Sequence, residues 1–238
     1  MTGPAFTILT HCYYGLENIV EIISKVSASY HTNVLINCPF PSHTALKDVL
    51  VPDNFILRKS PNVGKDIGGK LVLLDTFMKL DLSSKYLVFV HDKKSPHLAT
   101  GEQWFKDLLR IIEPTNISQI LSEFEKDSSI GIVATKSAIK DEYDVKAKKY
   151  LSNNGDILLK LQEKYQVNPN DYRYIAGTMF WVRTELILNF FKKFHPLKVR
   201  EELEYGNVMD SCSGTFTHSW ERMLTWLVTA QGYKIKGI

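Results

Sequence analysis

The spacing of hydrophobic and polar positions changes repeatedly along the chain. Residues 5–12 form an apolar, Thr-rich run, and in 16–26 the apolar positions Leu16, Ile19, Val20, Ile23 and Val26 recur at helical spacing, predicting a strand and then a helix. The pattern repeats. Strands are predicted over 33–38, 55–58 and 86–90, the last (Tyr-Leu-Val-Phe-Val) apolar on both faces, with helices over 44–50 and 67–80 between them. Helices over 103–112 and 117–124 follow, separated by Pro114, and then a buried-type strand over 130–134. Residues 140–154 are the most polar stretch, with Lys146, Lys148 and Lys149 near Tyr143 and Tyr150, and read as a solvated surface segment. A strand over 173–182 running through Gly177, helices over 184–194 and 216–230 and a strand over 233–235 complete the pattern. In the last helix Phe216, Trp220, Leu224 and Leu227 make one core stripe. Alternating β and α elements with continuously apolar strands predict one α/β domain over 1–238, with a mainly parallel central sheet and helices on both faces.

Composition narrows the function classes. With 44% hydrophobic and 23% charged residues the chain is of ordinary globular type, which excludes disorder, collagen and coiled coil. A formal charge of +3, from 29 basic against 26 acidic residues, is too small for a duplex nucleic-acid footprint, so nucleic acid is not an expected partner. Cys12, Cys38 and Cys212 are odd in number and lack metal-ligand spacing, which points to a reducing cytoplasm and no disulfide. No apolar run approaches bilayer-spanning length, so contact with the inner membrane face is expected to be peripheral at most.

Ligands of open α/β sheets bind beyond the carboxyl ends of the strands, which directs attention to two loops. After the third strand comes Ser60-Pro61-Asn62-Val63-Gly64-Lys65-Asp66-Ile67-Gly68-Gly69-Lys70. It reads either as a helix start with Asp66 as N-cap, or as a loop whose glycines let backbone approach a ligand while polar groups converge on it. After the most hydrophobic strand comes His91-Asp92-Lys93-Lys94-Ser95-Pro96-His97, a dense polar cluster at the ligand edge. Two adjacent lysines argue against His91, Asp92 and His97 as metal ligands.

Asn62-Val63-Gly64-Lys65-Asp66-Ile67-Gly68-Gly69 of the first segment and the strand ending in the second, with Ala176-Gly177-Thr178-Met179-Phe180-Trp181-Val182-Arg183 and Gly214-Thr215-Phe216-Thr217-His218-Ser219-Trp220-Glu221-Arg222, resemble the rhamnan synthesis protein F family, whose members are glycosyltransferase-related proteins of rhamnose-containing polysaccharide assembly. More distantly the chain resembles the GT-A nucleotide-sugar transferase fold, in which a hydrophobic strand ends in a D-x-D motif holding a divalent metal on the donor diphosphate. Here the outer aspartates of that motif fall on His91 and Lys93, so the resemblance implies weak or absent dependence on Mg²⁺ or Mn²⁺, with Asp92 the one remaining ligand. It also implies a nucleotide-sugar donor, a glycan or lipid-linked glycan acceptor, and contact with other polysaccharide-synthesis proteins.

Within that frame Asn62, Gly64, Lys65, Asp66, His91, Asp92, Lys93 and Lys94 are expected at the donor, the lysines offsetting charge on the leaving diphosphate. Gly177 and Thr178 are expected to border a sugar, and Trp181 either stacks on a pyranose or is core. The resemblance to inverting enzymes of the GT-A type implies a carboxylate base. Counting back from Gly232 selects Glu221, with His218 one turn away to orient it and Asp210 or Glu204 as substitutes. Pairing of Glu221 with Arg222 is the competing assignment. Two other classes stay open: a non-catalytic nucleotide-sugar or glycan-binding module, and a hydrolase built on His91, Asp92 and His218.

Overall fold

The computed structural model describes residues 4–14, 17–39, 52, 54–92 and 101–238. Its elements are β1 (Phe6–His11), α1 (Glu17–Tyr30), β2 (Asn33–Pro39), β3 (Phe55–Ser60), α2 (Lys65–Lys79), β4 (Tyr86–His91), α3 (Gly101–Leu109), α4 (Pro114–Lys126) and β5 (Ile130–Ala134). There follow β6 (Ile139–Asp141), β7 (Tyr143–Asp144), β8 (Lys149–Tyr150), α5 (Gly155–Tyr165), β9 (Arg173–Ile175), β10 (Phe180–Arg183), α6 (Thr184–Lys193), α7 (Pro196–Arg200), α8 (Phe216–Thr229) and β11 (Lys234–Gly237).

Seven strands form the central sheet in the order β11-β5-β10-β4-β1-β2-β3. All neighbours are parallel except at β10, which runs antiparallel to both β4 and β5. Every residue of β1, β4 and β5 is buried, as strands covered on both faces require. Side chains alternate along β1. Phe6 packs on Tyr30 of α1 and on Trp181, whereas His11, of opposite parity, meets α2 at Gly69. A Cβ at Gly69 would lie 1.9 Å from His11 Nδ1, so glycine is what lets the helix approach the strand end. The order β3-β2-β1-β4 reverses direction between β1 and β4, and the register sets His11 beside His91 at that switch point.

Some expectations need correction. The strand read over 173–182 is two strands: β9 pairs with β6 in a separate two-stranded sheet, and β10 enters the central sheet. The break falls at Gly177 and Thr178, with φ of 79° and 47°, a turn closed by Thr178 N–H donating to Ile175 O. Apolar continuity hid it. Pro114 does not merely separate helices but occupies the first turn of α4, where its missing N–H costs nothing. The helices α5 and α7 and the β7–β8 hairpin were not anticipated. Lys146, Lys148 and Lys149 are exposed as expected, although Glu142 in the same polar stretch is buried. The helix expected over 44–50 lies outside the described residues. Cys12, Cys38 and Cys212 are free thiols. Among the described residues no helix is long and apolar enough to cross a membrane.

Candidate functional site

Four elements deliver polar side chains to the switch point between β1 and β4. α2 begins at Lys65 behind Gly64, which is left-handed at φ 72° and makes no side-chain cap. Asp66 is therefore not the N-cap but sits inside the first turn, and its carboxylate is used elsewhere. Asp66 Oδ2 accepts from Lys70 Nζ at 2.7 Å and from the Thr178 hydroxyl at 2.5 Å, and lies 3.5 Å from His91 Nδ1. Lys70 Nζ also donates to His91 Nδ1 at 3.1 Å and contacts Thr178 Oγ1. Burial alone would raise the Asp66 pKa, but the Lys70 ammonium, His91 and the two hydrogen bonds outweigh it and hold the carboxyl well below the usual range. The Lys70 side chain is fully buried while that of Asp66 is 23% exposed, so Asp66 is the lip of the cluster and Lys70 its floor.

Thr178 reaches this cluster because of its backbone. A β-branched residue in the left-handed region is a genuine outlier and costs on the order of 1–3 kcal/mol. The strain coincides with the hydroxyl that bridges Asp66 and Lys70. Beneath the cluster, Asn37 Nδ2 donates to His11 Nδ1 at 3.1 Å. Burial pushes the His11 imidazole down to about 4, with Lys70 and Arg200 adding to the shift against Asp66, so the ring is neutral.

The start of α8 forms the other wall. Thr215 caps it, accepting His218 N–H at 3.1 Å, and its hydroxyl lies 2.6 Å from His218 Nδ1. His218 Nε2 is 3.4 Å from Lys65 Nζ and 4.0 Å from Asp210 Oδ1. The ammonium must donate to Nε2, so Nδ1 holds the proton and donates to Thr215. Burial, reinforced by Lys65, lowers the His218 pKa against the pull of Asp210 and Glu221. Asp210 accepts from Asn154 Nδ2 at 2.9 Å and is held below its ordinary value, because the Asn154 hydrogen bond and the Arg222 charge outweigh burial. Glu204 is spent on the helix terminus, accepting from Phe216 N–H at 2.6 Å, Thr217 N–H at 2.9 Å and the Thr217 hydroxyl at 2.6 Å.

The structure thus brings together Lys65, Asp66, His91, Thr178 and His218, with Gly64 at the turn. Other residues it uses differently. Glu221 lies in the second turn of α8, where one oxygen accepts Gly177 N–H at 2.7 Å and the other pairs with Arg222 at 2.7 Å, so the competing pairing with Arg222 is formed. His218 orients toward Thr215 and Lys65 rather than toward that carboxylate. Trp181 cannot stack on a sugar: it is fully buried against Phe6 and donates from Nε1 to Ile111 O at 2.9 Å. Asp92 accepts Tyr13 N–H at 2.7 Å and Tyr14 N–H at 2.5 Å, which ties the end of β1 to the end of β4. Asn62 faces Asn207 at 3.0 Å. Lys93 and Lys94, like His97, lie outside the described residues. Sequence reasoning did not assign Lys70, His11 or Glu142, and named Arg222 only as a partner for Glu221. The i, i+4 spacing of Asp66 and Lys70 was the available signal for the first.

The family model for rhamnan synthesis protein F matches residues 4–233. The chain belongs to the rhamnan synthesis protein F family. No curated protein matches it. Membership of this family implies involvement in rhamnan or polysaccharide synthesis. The motifs of the family resemblance converge here: the turn after β3, the end of β4, the β9–β10 break and the start of α8 are in mutual contact. Among the described residues no group of three or more His, Cys, Asp or Glu side chains could hold a metal ion. Asp92, the one ligand the D-x-D comparison leaves, has both oxygens engaged by backbone, so these residues do not fit a divalent-cation centre and no step is derived through one.

Proposed function

We propose that the chain is a GT-A-like glycosyltransferase that moves a sugar, rhamnose or another deoxyhexose, from a nucleotide-sugar donor to a growing cell-surface polysaccharide. The observation that carries this reading is the Asp66–Lys70–His91–Thr178 cluster, built from the family's motif residues at the switch point of a half-Rossmann sheet. Departure of a nucleoside diphosphate concentrates negative charge on the leaving oxygen, and ammonium groups held in place stabilise it without reorganising. Lys65 takes that role, with Lys93 and Lys94 proposed beside it from their place in the sequence, and Asp66 and the Lys70 floor fix the geometry of the donor. His218 replaces Glu221 as proton acceptor. Its ring is turned by Thr215, and burial, reinforced by Lys65, lowers its pKa; when an acceptor hydroxyl displaces the 3.4 Å contact to Lys65, Nε2 takes the hydroxyl proton as the new bond forms. The acceptor is a glycan or lipid-linked glycan met at the cytoplasmic membrane face.

The non-catalytic module is the second reading, favoured by one observation: Asp92, Glu204 and Glu221 are all engaged in structural contacts. Thermal unfolding with a panel of nucleoside diphosphates and nucleotide sugars, with and without Mg²⁺ or Mn²⁺, followed by an assay for donor hydrolysis, separates the two. A ligand at about 100 times its Kd adds about 2.7 kcal/mol of apparent stability. A shift with turnover is expected; a shift without turnover selects the module, and no shift with any donor overturns both.

A further inference from the structure

Beside the donor cluster lies a second polar arrangement that the chemistry above does not use. The segment after Glu204 crosses the turn behind β3. Gly64 N–H donates to Glu204 O at 2.8 Å, Val63 and Tyr205 form an antiparallel bridge, and Gly206 N–H donates to Asn62 O at 2.8 Å. From that crossing the contacts continue through side chains. Asn62 Nδ2 donates to Asn207 Oδ1 at 3.0 Å, Asn207 Nδ2 donates to the Tyr13 hydroxyl at 2.9 Å, and the Tyr13 ring lies edge-on to Tyr14 at 4.8 Å and 78°. Asp92 clamps the backbone of both tyrosines.

Two features of this arrangement point to a ligand. Tyr205 and Tyr14 are 75% and 46% exposed while their backbones are held by the bridge to Val63 and by Asp92. Asn62 is only 9% exposed, yet its Oδ1 has no hydrogen-bond partner. Buried polar atoms are normally satisfied, and an orphan carbonyl oxygen is matched by a hydroxyl donor. Rigid aromatic planes beside amide groups suit a ligand with an apolar C–H face and a hydroxylated edge. The tyrosine and asparagine side chains carry no charge, which selects a neutral ligand over a phosphate or carboxylate. A pyranose ring has this chemistry.

We infer that Tyr14, Tyr205, Asn62 and Asn207 form a platform for a neutral pyranose unit of the acceptor glycan. The word acceptor rests on the transferase reading; the sugar site itself does not. Asn62 then belongs to the acceptor rather than to the donor. Holding the backbones of Tyr14 and Tyr205 before the ligand arrives reduces the ordering cost of binding.

The test is an NMR titration of the ¹⁵N-labelled full chain with methyl α-L-rhamnopyranoside and a rhamnose trisaccharide, with mannitol, which has hydroxyls but no rigid apolar face, as control. Shifts at Tyr13, Tyr14, Tyr205 and the Asn62 and Asn207 amides are expected with the rhamnosides and not with mannitol. Tyr205→Ala should weaken binding about tenfold and Tyr205→Phe should retain it, as stacking on the ring requires. Both substitutions are at the surface, and unchanged spectra elsewhere confirm the fold. Absence of rhamnoside shifts in the wild type, equal response to mannitol, or wild-type affinity in Tyr205→Ala overturns the platform. The nucleotide thermal-shift panel on the wild-type chain reads the transferase proposal separately. Rhamnoside binding without a nucleotide response sinks that proposal and leaves the platform standing, and the reverse result sinks the platform alone.

Discussion

Two ionic groups on α8, four residues apart, differ in how much of their hydrogen-bonding capacity is spent. Arg222 is nearly saturated, with four of its five N–H donors used. Its Nε donates to Glu142 at 2.7 Å, Nη1 to Glu221 at 2.7 Å and to His218 O at 3.0 Å, Nη2 to the Tyr174 hydroxyl at 3.0 Å, and its plane lies 4.2 Å from the Tyr174 ring. Glu142 and Arg222 are only 1% and 6% exposed. His218 by contrast has one short contact, to Thr215, and two long ones, to Lys65 and Asp210. A buried charge that is fully paired acts as scaffold, since any change leaves a partner unpaired. A ring with a loosely held nitrogen keeps a lone pair available to a reacting proton. Arg222, Glu142 and Glu221 hold Gly177 and the β9–β10 break in place, which leaves His218 for the proton-acceptor role proposed above.

The largest effect should come from breaking the nearly saturated group. Arg222→Met leaves Glu142 buried and unpaired and is expected to cost about 3–5 kcal/mol in urea unfolding. Adding Glu142→Leu should recover much of that loss. A cost below about 1 kcal/mol would place Arg222 outside the scaffold.

Acid should act next, through the buried His11 ring at the Asp66–Lys70 cluster. His11 titrates near 4 in the folded chain against about 6.5 unfolded. Between those values the unfolded chain binds the extra proton, so stability rises with pH across the window and is fully present above about 6.5. By that linkage about 3 kcal/mol should be lost as pH falls from 6.5 to 4, and replacement by Gln should flatten this part of the pH profile. An unchanged profile in His11→Gln would assign the acid sensitivity elsewhere.

On turnover the contrast between the two groups should invert. His218→Asn should slow sugar transfer roughly 10²-fold or more while unfolding in urea stays close to wild type, whereas Glu221→Gln should act mainly on stability. Equal turnover losses in both variants would erase the distinction drawn here. The smallest and most local test is Lys65→Met. Since the Lys65 charge helps to lower the His218 pKa, its removal should move the imidazole titration upward, read by NMR at the ring protons. A downward move would show that the two side chains do not face each other.

Much of this architecture was legible in the chain. The buried β4, the helical periodicity of α2 and α8, and the pairing of two polar loops at one sheet edge follow from hydrophobic period and from the rule that ligands meet strand ends. Lys70 was read as part of the loop but given no role, because period analysis treats a lysine as solvent-facing and cannot foresee a counter-ion delivered from the next turn. Trp181 was ambiguous for the opposite reason: aromatic residues suit cores and sugars alike, and only the 2.9 Å bond to Ile111 O shows which. The break at Gly177 and Thr178 was invisible because apolar residues flank it on both sides.

Amino-acid order by itself determined the period of each element, the parallel sheet those periods imply, and the family whose motifs the chain carries. Tertiary structure alone decided which charges meet. Glu142, Tyr174 and Arg222 come from segments far apart in the chain, as do Asn62, Tyr13 and Asn207, and no local rule links them. Backbone propensity acts over a few residues, whereas ion pairing and burial depend on distance in space. Glu221 could be read as a base along the chain, and it became a strut only once Gly177 N–H was folded 2.7 Å from its carboxylate.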